Sequence, residues 1–168
     1  MKKILFVDFE KCVGCRTCET ACSLYHEDMC RSAVSRIQVL KWESEGIDLP
    51  TVCQQCERPM CLEVCPVGAP YRDQATGAMM IDYDKCLGCR MCMAGCPFGA
   101  IVWDDYDHKV KKCDLCEGDP KCVRYCQPKA IDYVRFSQAV LAKKRAIGER
   151  YSEYLKKFAE EATGAKRA

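Results

Sequence analysis

The 168-residue sequence contains no long hydrophobic run. No segment approaches the roughly 18 apolar residues of a membrane-spanning helix, so we expect no membrane span. At the N-terminus only Ile4–Val7 is apolar before Asp8 interrupts, which is too short for the core of a secretory signal. These absences favour a cytoplasmic location, in which thiols stay reduced and bind metals instead of forming disulfides.

Histidine is scarce, and motifs of enzyme active sites are missing. The two histidines, His26 and His108, are far apart in the sequence, and we interpret both as packing or surface residues. The sequence shows no motif of a general base, an activated nucleophile or a substrate pocket. We therefore expect the chain not to be an enzyme on its own.

Cysteine, by contrast, is abundant, with 17 residues. Sixteen of them form four groups of four, and Cys30 stands alone. We interpret Cys30 as an unremarkable thiol or a small buried hydrophobic residue. Two groups are tight, with the spacing C-x2-C-x2-C-x3-C of bacterial ferredoxins, and two have a wider middle gap. The tight groups are Cys12, Cys15, Cys18, Cys22 and Cys86, Cys89, Cys92, Cys96; the wide-gap groups are Cys53, Cys56, Cys61, Cys65 and Cys113, Cys116, Cys122, Cys126.

The tight spacing suits the binding of a 4Fe–4S cluster. Three of its cysteines can place their thiolates on three corners of a cube, and the fourth then points towards a second cluster. Gly14 and Gly88 let the backbone of these loops approach the cluster sulfides closely. Pro97 fixes a turn after its group, whereas Ser23 follows Cys22 and allows a helix to continue there.

Zinc is the main alternative metal. Structural zinc sites also use C-x2-C, but usually as separated pairs. Four complete quartets favour iron–sulfur clusters, so we expect iron to be bound through the sixteen grouped cysteines. The wide-gap groups leave open a modified cluster or another metal at one site.

The sequence contains an internal repeat. Asp8–Arg16 aligns with Asp82–Arg90 at an offset of 74 residues, and the match extends to the Asp, Lys, Gly and Arg between the cysteines. The two wide-gap groups align in the same way, including Glu57 with Glu117. The chain therefore carries two copies of a unit that contains one tight and one wide-gap group.

Alternating apolar residues predict short strands, and the C-terminal region differs from the rest. Residues 137–168 contain no cysteine and have eight Lys and Arg against four Glu. Whether this tail packs on its own domain or docks on a partner stays open. Strands are predicted at Ile4–Val7, Ser35–Trp42, Ala78–Tyr83 and Ala130–Phe136, with a hairpin from Ala100–Trp103 and His108–Lys111; the tail's apolar helical stripe is Val140, Ile147, Tyr151, Tyr154, Leu155 and Phe158.

The formal charge of +2 counts every cysteine as neutral. An oxidised cluster with four thiolates carries about −2, so four clusters would bring the net charge to about −6. Many basic residues then compensate cluster charge, which argues against a nucleic-acid-binding surface. Since apolar content outside the cysteines is modest, we also expect the metal-free chain to be largely unfolded. Basic residues that we expect to raise cluster potentials flank the loops: Lys11, Arg16, Lys85, Arg90 and Lys112.

Over roughly residues 1–135, these motifs resemble the four-cluster ferredoxin subunits of molybdenum and tungsten oxidoreductases. The order of groups (tight, wide-gap, tight, wide-gap) is specific for that family. The chain is most similar to the small soluble subunits of tungsten aldehyde oxidoreductases and benzoyl-CoA reductase. The resemblance implies an α+β domain over residues 1–136, made of two bacterial-ferredoxin-like units, and a C-terminal amphipathic helix or docking tail at 137–168. The inner unit, 51–103, is inserted in the outer unit, 1–50 and 104–136.

The resemblance also implies how the cysteines are shared, although the repeat alone would equally permit pairing of adjacent groups. In the family, the first group pairs with the fourth and the second with the third. The implied ligand sets are Cys12, Cys15, Cys18, Cys126; Cys113, Cys116, Cys122, Cys22; Cys53, Cys56, Cys61, Cys96; and Cys86, Cys89, Cys92, Cys65.

The function implied by the resemblance is a relay of single electrons through four 4Fe–4S clusters. The relay would connect a large catalytic subunit with a tungsten or molybdenum pterin to another redox partner, a flavin protein or ferredoxin, in anaerobic metabolism. Alternatives are a freestanding polyferredoxin and a ferredoxin-like subunit of carbon monoxide dehydrogenase or hydrogenase. A structural zinc module is a third class of function.

Overall fold

The computed structural model describes residues 3–138, 140, 141, 143, 148, 149 and 152. The chain divides into two compact units, residues 1–133 and 134–168. The first unit is a mixture of short helices and short strands. Among the described residues, no helix is both long and apolar enough to cross a membrane.

The strands of the first unit pair as two-stranded sheets. Three of these sheets are antiparallel hairpins, and the other joins the first strand to the last. Each hairpin carries the chain from one cysteine loop towards the next. The pairs are β1 (Lys3–Val7) with β8 (Ile131–Arg135), β2 (Ile37–Trp42) with β3 (Ile47–Val52), β4 (Pro70–Arg72) with β5 (Met79–Ile81), and β6 (Ile101–Asp104) with β7 (Lys109–Lys112).

Four α-helices follow the cysteine loops, and each carries at least one cysteine on its first turns. The first has eleven residues and the other three have four each. The predicted continuation of the first helix past Cys22 is confirmed: this helix runs through Ser23 to Glu27, whereas the matching helix ends at Ala94, before Pro97. The helices are α1 (Thr17–Glu27), α2 (Met60–Glu63), α3 (Met91–Ala94) and α4 (Lys121–Arg124).

The predicted strands are confirmed, with differences at their ends. The stretch predicted as Ala78–Tyr83 is shortened to β5, Met79–Ile81. It ends there because the Asp82 carbonyl accepts a hydrogen bond from the backbone N–H of Cys86 at 3.1 Å, which turns the chain into the next cysteine loop. The hairpin predicted across Asp104–Asp107 forms as β6 and β7.

Two clusters of buried side chains make up the core. One contains Leu5, Ile37, Val52, Leu115 and Ile131 together with buried thiols from the first and last cysteine groups. The other contains Ala69, Ile81, Ile101 and Val110 together with thiols from the middle groups. Cysteine side chains are therefore part of the packing of both clusters.

Beyond β8, positions 136–138, 140, 141, 143, 148, 149 and 152 are helical. Val140 and Leu141 are exposed. The rest of the predicted apolar stripe, from Ile147 to Phe158, lies outside the described residues.

Candidate metal centres

The two tight cysteine loops have the same backbone conformation. Gly14 and Gly88 have φ values of 62° and 65°, and Arg16 and Arg90 have φ values of 58° and 63°. The left-handed region favours glycine, and an arginine there is uncommon. The same unusual angles at matching positions extend the sequence repeat to the backbone.

Three cavities are each lined by four cysteines. Counted with the solvent space at their mouths, the cavities measure about 340, 290 and 360 Å³. Each lining set takes three cysteines from one group and one from another, in the combinations that the family resemblance implies. The sets are Cys65, Cys86, Cys89, Cys92; Cys22, Cys113, Cys116, Cys122; and Cys53, Cys56, Cys61, Cys96.

The remaining grouped cysteines also lie near one another. The pKa of the Cys12 thiol is raised mainly by burial, and the charges of Cys15 and Cys126 raise it further. Burial raises the pKa of Cys18 to about 12, with added contributions from Glu19, Cys15 and Cys12. We number the four sets as site 1 (Cys12, Cys15, Cys18, Cys126), site 2 (Cys22, Cys113, Cys116, Cys122), site 3 (Cys53, Cys56, Cys61, Cys96) and site 4 (Cys65, Cys86, Cys89, Cys92).

The donor sets fit iron–sulfur clusters, because sites 2, 3 and 4 each converge four sulfur atoms on one space. All seventeen cysteines are free thiols. Burial raises the pKa of Cys92 and of Cys116 to about 11, and it raises the pKa of Cys113 and Cys122 as well. Metal binding must therefore displace protons from these thiols. Cys15 is the opposite case, since a hydrogen bond from the Thr17 hydroxyl lowers its pKa.

Backbone N–H groups point at several of the sulfur atoms. The amides of Ala69 and Ala130 each donate to the last cysteine of a wide-gap group, Cys65 and Cys126, at 3.4 and 3.3 Å. The Arg36 amide donates to Cys22 at 3.3 Å. Such donors favour negative charge on sulfur and hence a reduced cluster.

The five basic residues expected to raise cluster potentials differ in their surroundings. Lys11 and Lys85 are exposed and form ion pairs with Asp8 and Asp82 at 2.8 and 2.7 Å. The Arg90 guanidinium lies 3.8 Å from the centre of the Trp103 ring. Of the five, Lys112 is the one with a hydrogen bond to a cysteine: its Nζ lies 3.1 Å from Cys53 Sγ.

The sequence interpretation missed the surroundings of site 2. His26, assigned to packing or the surface, places Nε2 3.5 Å from Cys116 Sγ and 3.4 Å from the Asp114 carboxylate. Burial, assisted by the charge of Arg36, lowers the pKa of His26. Arg36 in turn forms a 2.5 Å ion pair with Asp114. The extension of α1 past Cys22 is the one sequence signal that could have placed His26 here.

Cys30 lies apart from the four sites. Its side chain is exposed, so the buried alternative among its two interpretations does not hold. No other cysteine of the chain lies outside the four sites.

The fold and the cysteine sets define an iron–sulfur protein of the ferredoxin type. A family profile described as a 4Fe-4S dicluster domain matches residues 44–136, and one described as a 4Fe-4S binding domain matches residues 3–24. The first match covers more than half of the chain. The chain belongs to the 4Fe-4S dicluster domain family.

Curated relatives carry names of the same kind. The uncharacterised ferredoxin MJ0265 of Methanocaldococcus jannaschii is 38% identical over 86% of this chain and 79% of its own length. The polyferredoxin-like subunit of the aliphatic sulfonate oxidoreductase of Pyrococcus furiosus is 38% identical over 75% and 72%. The electron transport protein HydN of Escherichia coli K12 is 35% identical over 78% and 87%. The chain is accordingly an electron-transfer protein with 4Fe–4S clusters, as the motif resemblance implied.

A solved structure also resembles the chain. It is a chain of the active site complex BamBC of benzoyl-CoA reductase in complex with benzoyl-CoA. The match covers 92% of this chain and 96% of that one, with 21% identity and a TM-score of 0.48.

Proposed function

We propose that the chain binds four 4Fe–4S clusters, one at each of sites 1 to 4, and relays single electrons as a non-catalytic subunit of an oxidoreductase. The observation that carries this proposal is the convergence of cysteines from different groups on one cavity at sites 2, 3 and 4. A 4Fe–4S cluster supplies a one-electron couple when it is bound. The chain's own cysteines hold it, and the buried side chains around them exclude water.

The nested arrangement of two ferredoxin-like units is part of the proposal. Sites 1 and 2 share cysteines between the first and fourth groups, and sites 3 and 4 between the second and third. The buried thiols of the two core clusters follow the same division: those of the larger cluster belong to sites 1 and 2, and those of the smaller, Cys61 and Cys92, belong to sites 3 and 4. We take residues 1–50 and 104–136 as the outer unit, 51–103 as the inner unit and 137–168 as a C-terminal helix or docking tail.

The order of the sites along the relay is proposed to be 1, 2, 3, 4. The charge of Cys18 at site 1 contributes to the raised pKa of Cys122 at site 2, after burial and nearer thiols. Cys53 at site 3 is the first charge, after burial, that raises the pKa of Cys113 at site 2. Cys61 of site 3 similarly acts on Cys92 of site 4. These three neighbour relations support one continuous row.

The two ends of such a row lie at exposed loops. Cys15 at site 1 and Cys89 at site 4 are exposed, whereas the cysteines of site 2 are buried and those of site 3 are buried or half-buried. Val13 and Leu87, which hold matching positions in the repeat, are 65% and 70% exposed. We propose that electrons enter at one of these loops and leave at the other, where partner proteins can approach.

The proposed partner at one end is a large catalytic subunit with a tungsten or molybdenum pterin, and at the other a flavin protein or ferredoxin. Relatives named as subunits of an aliphatic sulfonate oxidoreductase, a sulfite dehydrogenase and a phenylglyoxylate dehydrogenase favour a catalytic partner. The second candidate is a freestanding polyferredoxin, favoured by the relative named as the electron transport protein HydN. A reducing, cytoplasmic setting is proposed because all cysteines are free thiols.

Anaerobic purification of the chain from its native source tests both the proposed cluster content and the proposed role as a subunit. We expect a brown protein with about sixteen iron atoms per chain and a large subunit that co-purifies with tungsten or molybdenum. Zinc in place of iron would contradict the cluster proposal. Full iron without any co-purifying subunit would contradict the subunit role and favour the freestanding carrier.

A further inference from the structure

Lys112 is a buried cation at the boundary between sites 2 and 3. It is the last residue of β7, directly before Cys113, and only 4% of it is exposed. Its Nζ donates hydrogen bonds to Cys53 Sγ at 3.1 Å, to the Met79 carbonyl at 2.5 Å and to the Cys113 carbonyl at 3.4 Å. All three donor positions of the ammonium are therefore used.

No carboxylate in residues 3–138 forms an ion pair with Lys112. Another buried lysine and a half-buried arginine do have such partners: Lys111 pairs with Glu27 at 3.0 Å, and Arg36 pairs with Asp114 at 2.5 Å. A buried charge without an opposite charge is strongly destabilising. The hydrogen-bond partner of Lys112 that can carry negative charge is the Cys53 sulfur, which binds metal as a thiolate.

The two copies of the repeat differ at the position of Lys112. Lys112 precedes Cys113 as Val52 precedes Cys53, and each is paired with an isoleucine across its hairpin, Ile101 and Ile37. Val52 is fully buried and apolar. The loop that follows can thus form without a lysine at this position, so the wide-gap fold does not require the charge.

We propose that Lys112 is the buried counter-cation of site 3 and raises the reduction potential of the cluster held there. One electron takes a cluster with four thiolates from about −2 to about −3. A cation in hydrogen-bond contact with one of those sulfurs, away from solvent, stabilises the more negative state. The inference rests on the ligand sets of the proposed function.

The positive charge of Lys112 also acts on the pKa of two neighbouring thiols. Burial raises the pKa of Cys61 and Cys113, and the charge of Lys112 acts in the opposite direction at both. The basic group near site 2, Arg36, is balanced by Asp114 and Glu27, so its charge acts on that site less. Lys112 is therefore a positioning and tuning residue for site 3, without contact to any substrate.

The test is a redox titration, followed by electron paramagnetic resonance, of the full cluster-loaded chain and its Lys112→Gln and Lys112→Met variants. We expect one midpoint potential to fall by at least about 59 mV, a tenfold change in a one-electron equilibrium constant, while the other three move less. Lys85→Met is the matched control. It also removes one positive charge beside a cysteine loop, but at an exposed, ion-paired lysine, so we expect no shift of that size.

A second measurement detects the contact between Lys112 and the cluster directly. Hyperfine spectroscopy of the reduced protein labelled with ¹⁵N-lysine should show a lysine nitrogen coupled to one cluster, and Lys112→Arg should abolish that coupling while keeping the potential of that cluster. Full iron content with four unchanged potentials in Lys112→Gln overturns the inference, as does absence of the coupling in the unsubstituted protein. Iron well below sixteen atoms in the unsubstituted protein would instead count against the proposed cluster number.

Discussion

At the scale of single residues, Gln55 links the two wide-gap cysteine groups. It is fully buried, accepts the backbone N–H of Met79 at 2.7 Å and donates to the Cys113 carbonyl at 3.1 Å. The matching position in the other copy of the repeat is Leu115, which is buried and apolar. The two copies therefore differ in polarity at two matching positions, Gln55 against Leu115 and Lys112 against Val52, and each copy contributes one of the polar residues.

The substitution Gln55→Leu should destabilise the cluster-loaded protein. It leaves the buried N–H of Met79 without a partner, which costs about 1–3 kcal/mol. The measurement is the denaturant concentration at which half of the visible cluster absorption is lost under anaerobic conditions. Gln54→Leu is the control, because Gln54 is exposed and its bond to the Val52 carbonyl can be replaced by water. Equal midpoints for the two variants would contradict the role assigned to Gln55.

A second residue-scale prediction concerns Gly14. Its φ of 62° costs a non-glycine residue about 1–2 kcal/mol, and a methyl group there would overlap the Asp48 carboxylate. Gly14→Ala should therefore speed up loss of iron to a chelator more than Gly68→Ala does. Gly68 has a φ of 61° but open space around it, so it isolates the cost of the conformation. If the two variants lose iron equally fast, the contact with Asp48 has no energetic weight.

At the scale of elements, α1 is longer than its counterpart α3, and it continues through Ser23, which stands where α3 is followed by Pro97. The Ser23 hydroxyl donates to the Thr20 carbonyl at 3.2 Å and accepts the Arg31 N–H at 3.1 Å, so it also fixes the chain that leaves the helix. This extension carries His26 to Cys116. One residue in the first copy of the repeat thereby changes the surroundings of site 2.

The substitution Ser23→Pro should remove iron from the outer unit. A proline in the interior of α1 costs about 3 kcal/mol or more and clashes with the carbonyl of Glu19. Cys18 and Cys22 lie on this helix and belong to sites 1 and 2, so we expect about half of the iron to be lost. Pro97→Ser, at the matching place in the inner unit, should keep nearly all of it. The measurement is the iron content of the two purified variants. Full iron in Ser23→Pro would contradict the expectation.

The helices and strands show which features of the structure can be predicted from the sequence alone. Hairpins such as β6 and β7 follow from alternating apolar residues, and the conformation of Gly14 and Gly88 follows from their place in the cysteine loops. Lys112 and His26 could not be placed in this way. Their contacts with Cys53 and Cys116 span 59 and 90 residues, and local propensity carries no information about side chains so far apart. The sharing of cysteines between groups likewise needed the family resemblance, since the repeat permits other pairings.

At the scale of the whole molecule, we expect metal binding and folding to be coupled. The strands have three to six residues and pair only two by two, an arrangement that is marginal in water without further support. Buried thiols such as Cys18, Cys113 and Cys122 stand among the apolar side chains of the larger core cluster. Metal–thiolate bonds therefore contribute the stability that a continuous apolar core would give a protein of this size.

Removal of the metal should leave a largely unfolded chain, and any remaining folded structure should become less stable as the pH rises. A thiol whose pKa is raised in the folded state favours that state only below its ordinary pKa, near 9.0. Burial raises the pKa of Cys18 to about 12 and of Cys92 and Cys116 to about 11, so the metal-free fold loses stability as the pH rises from about 8 towards those values.

The measurement is circular dichroism of the chelator-treated and the cluster-loaded protein between pH 7 and 10, under anaerobic conditions and with a reductant to exclude disulfides. Residual structure in the metal-free chain should decrease over this range, because the unfolded chain ionises its thiols first. The loaded protein should not follow the same curve, because its thiolates are already bound to metal and have no proton to release. A metal-free chain that melts cooperatively at pH 7 with the loaded protein's spectrum would show that the short hairpins suffice without the metal.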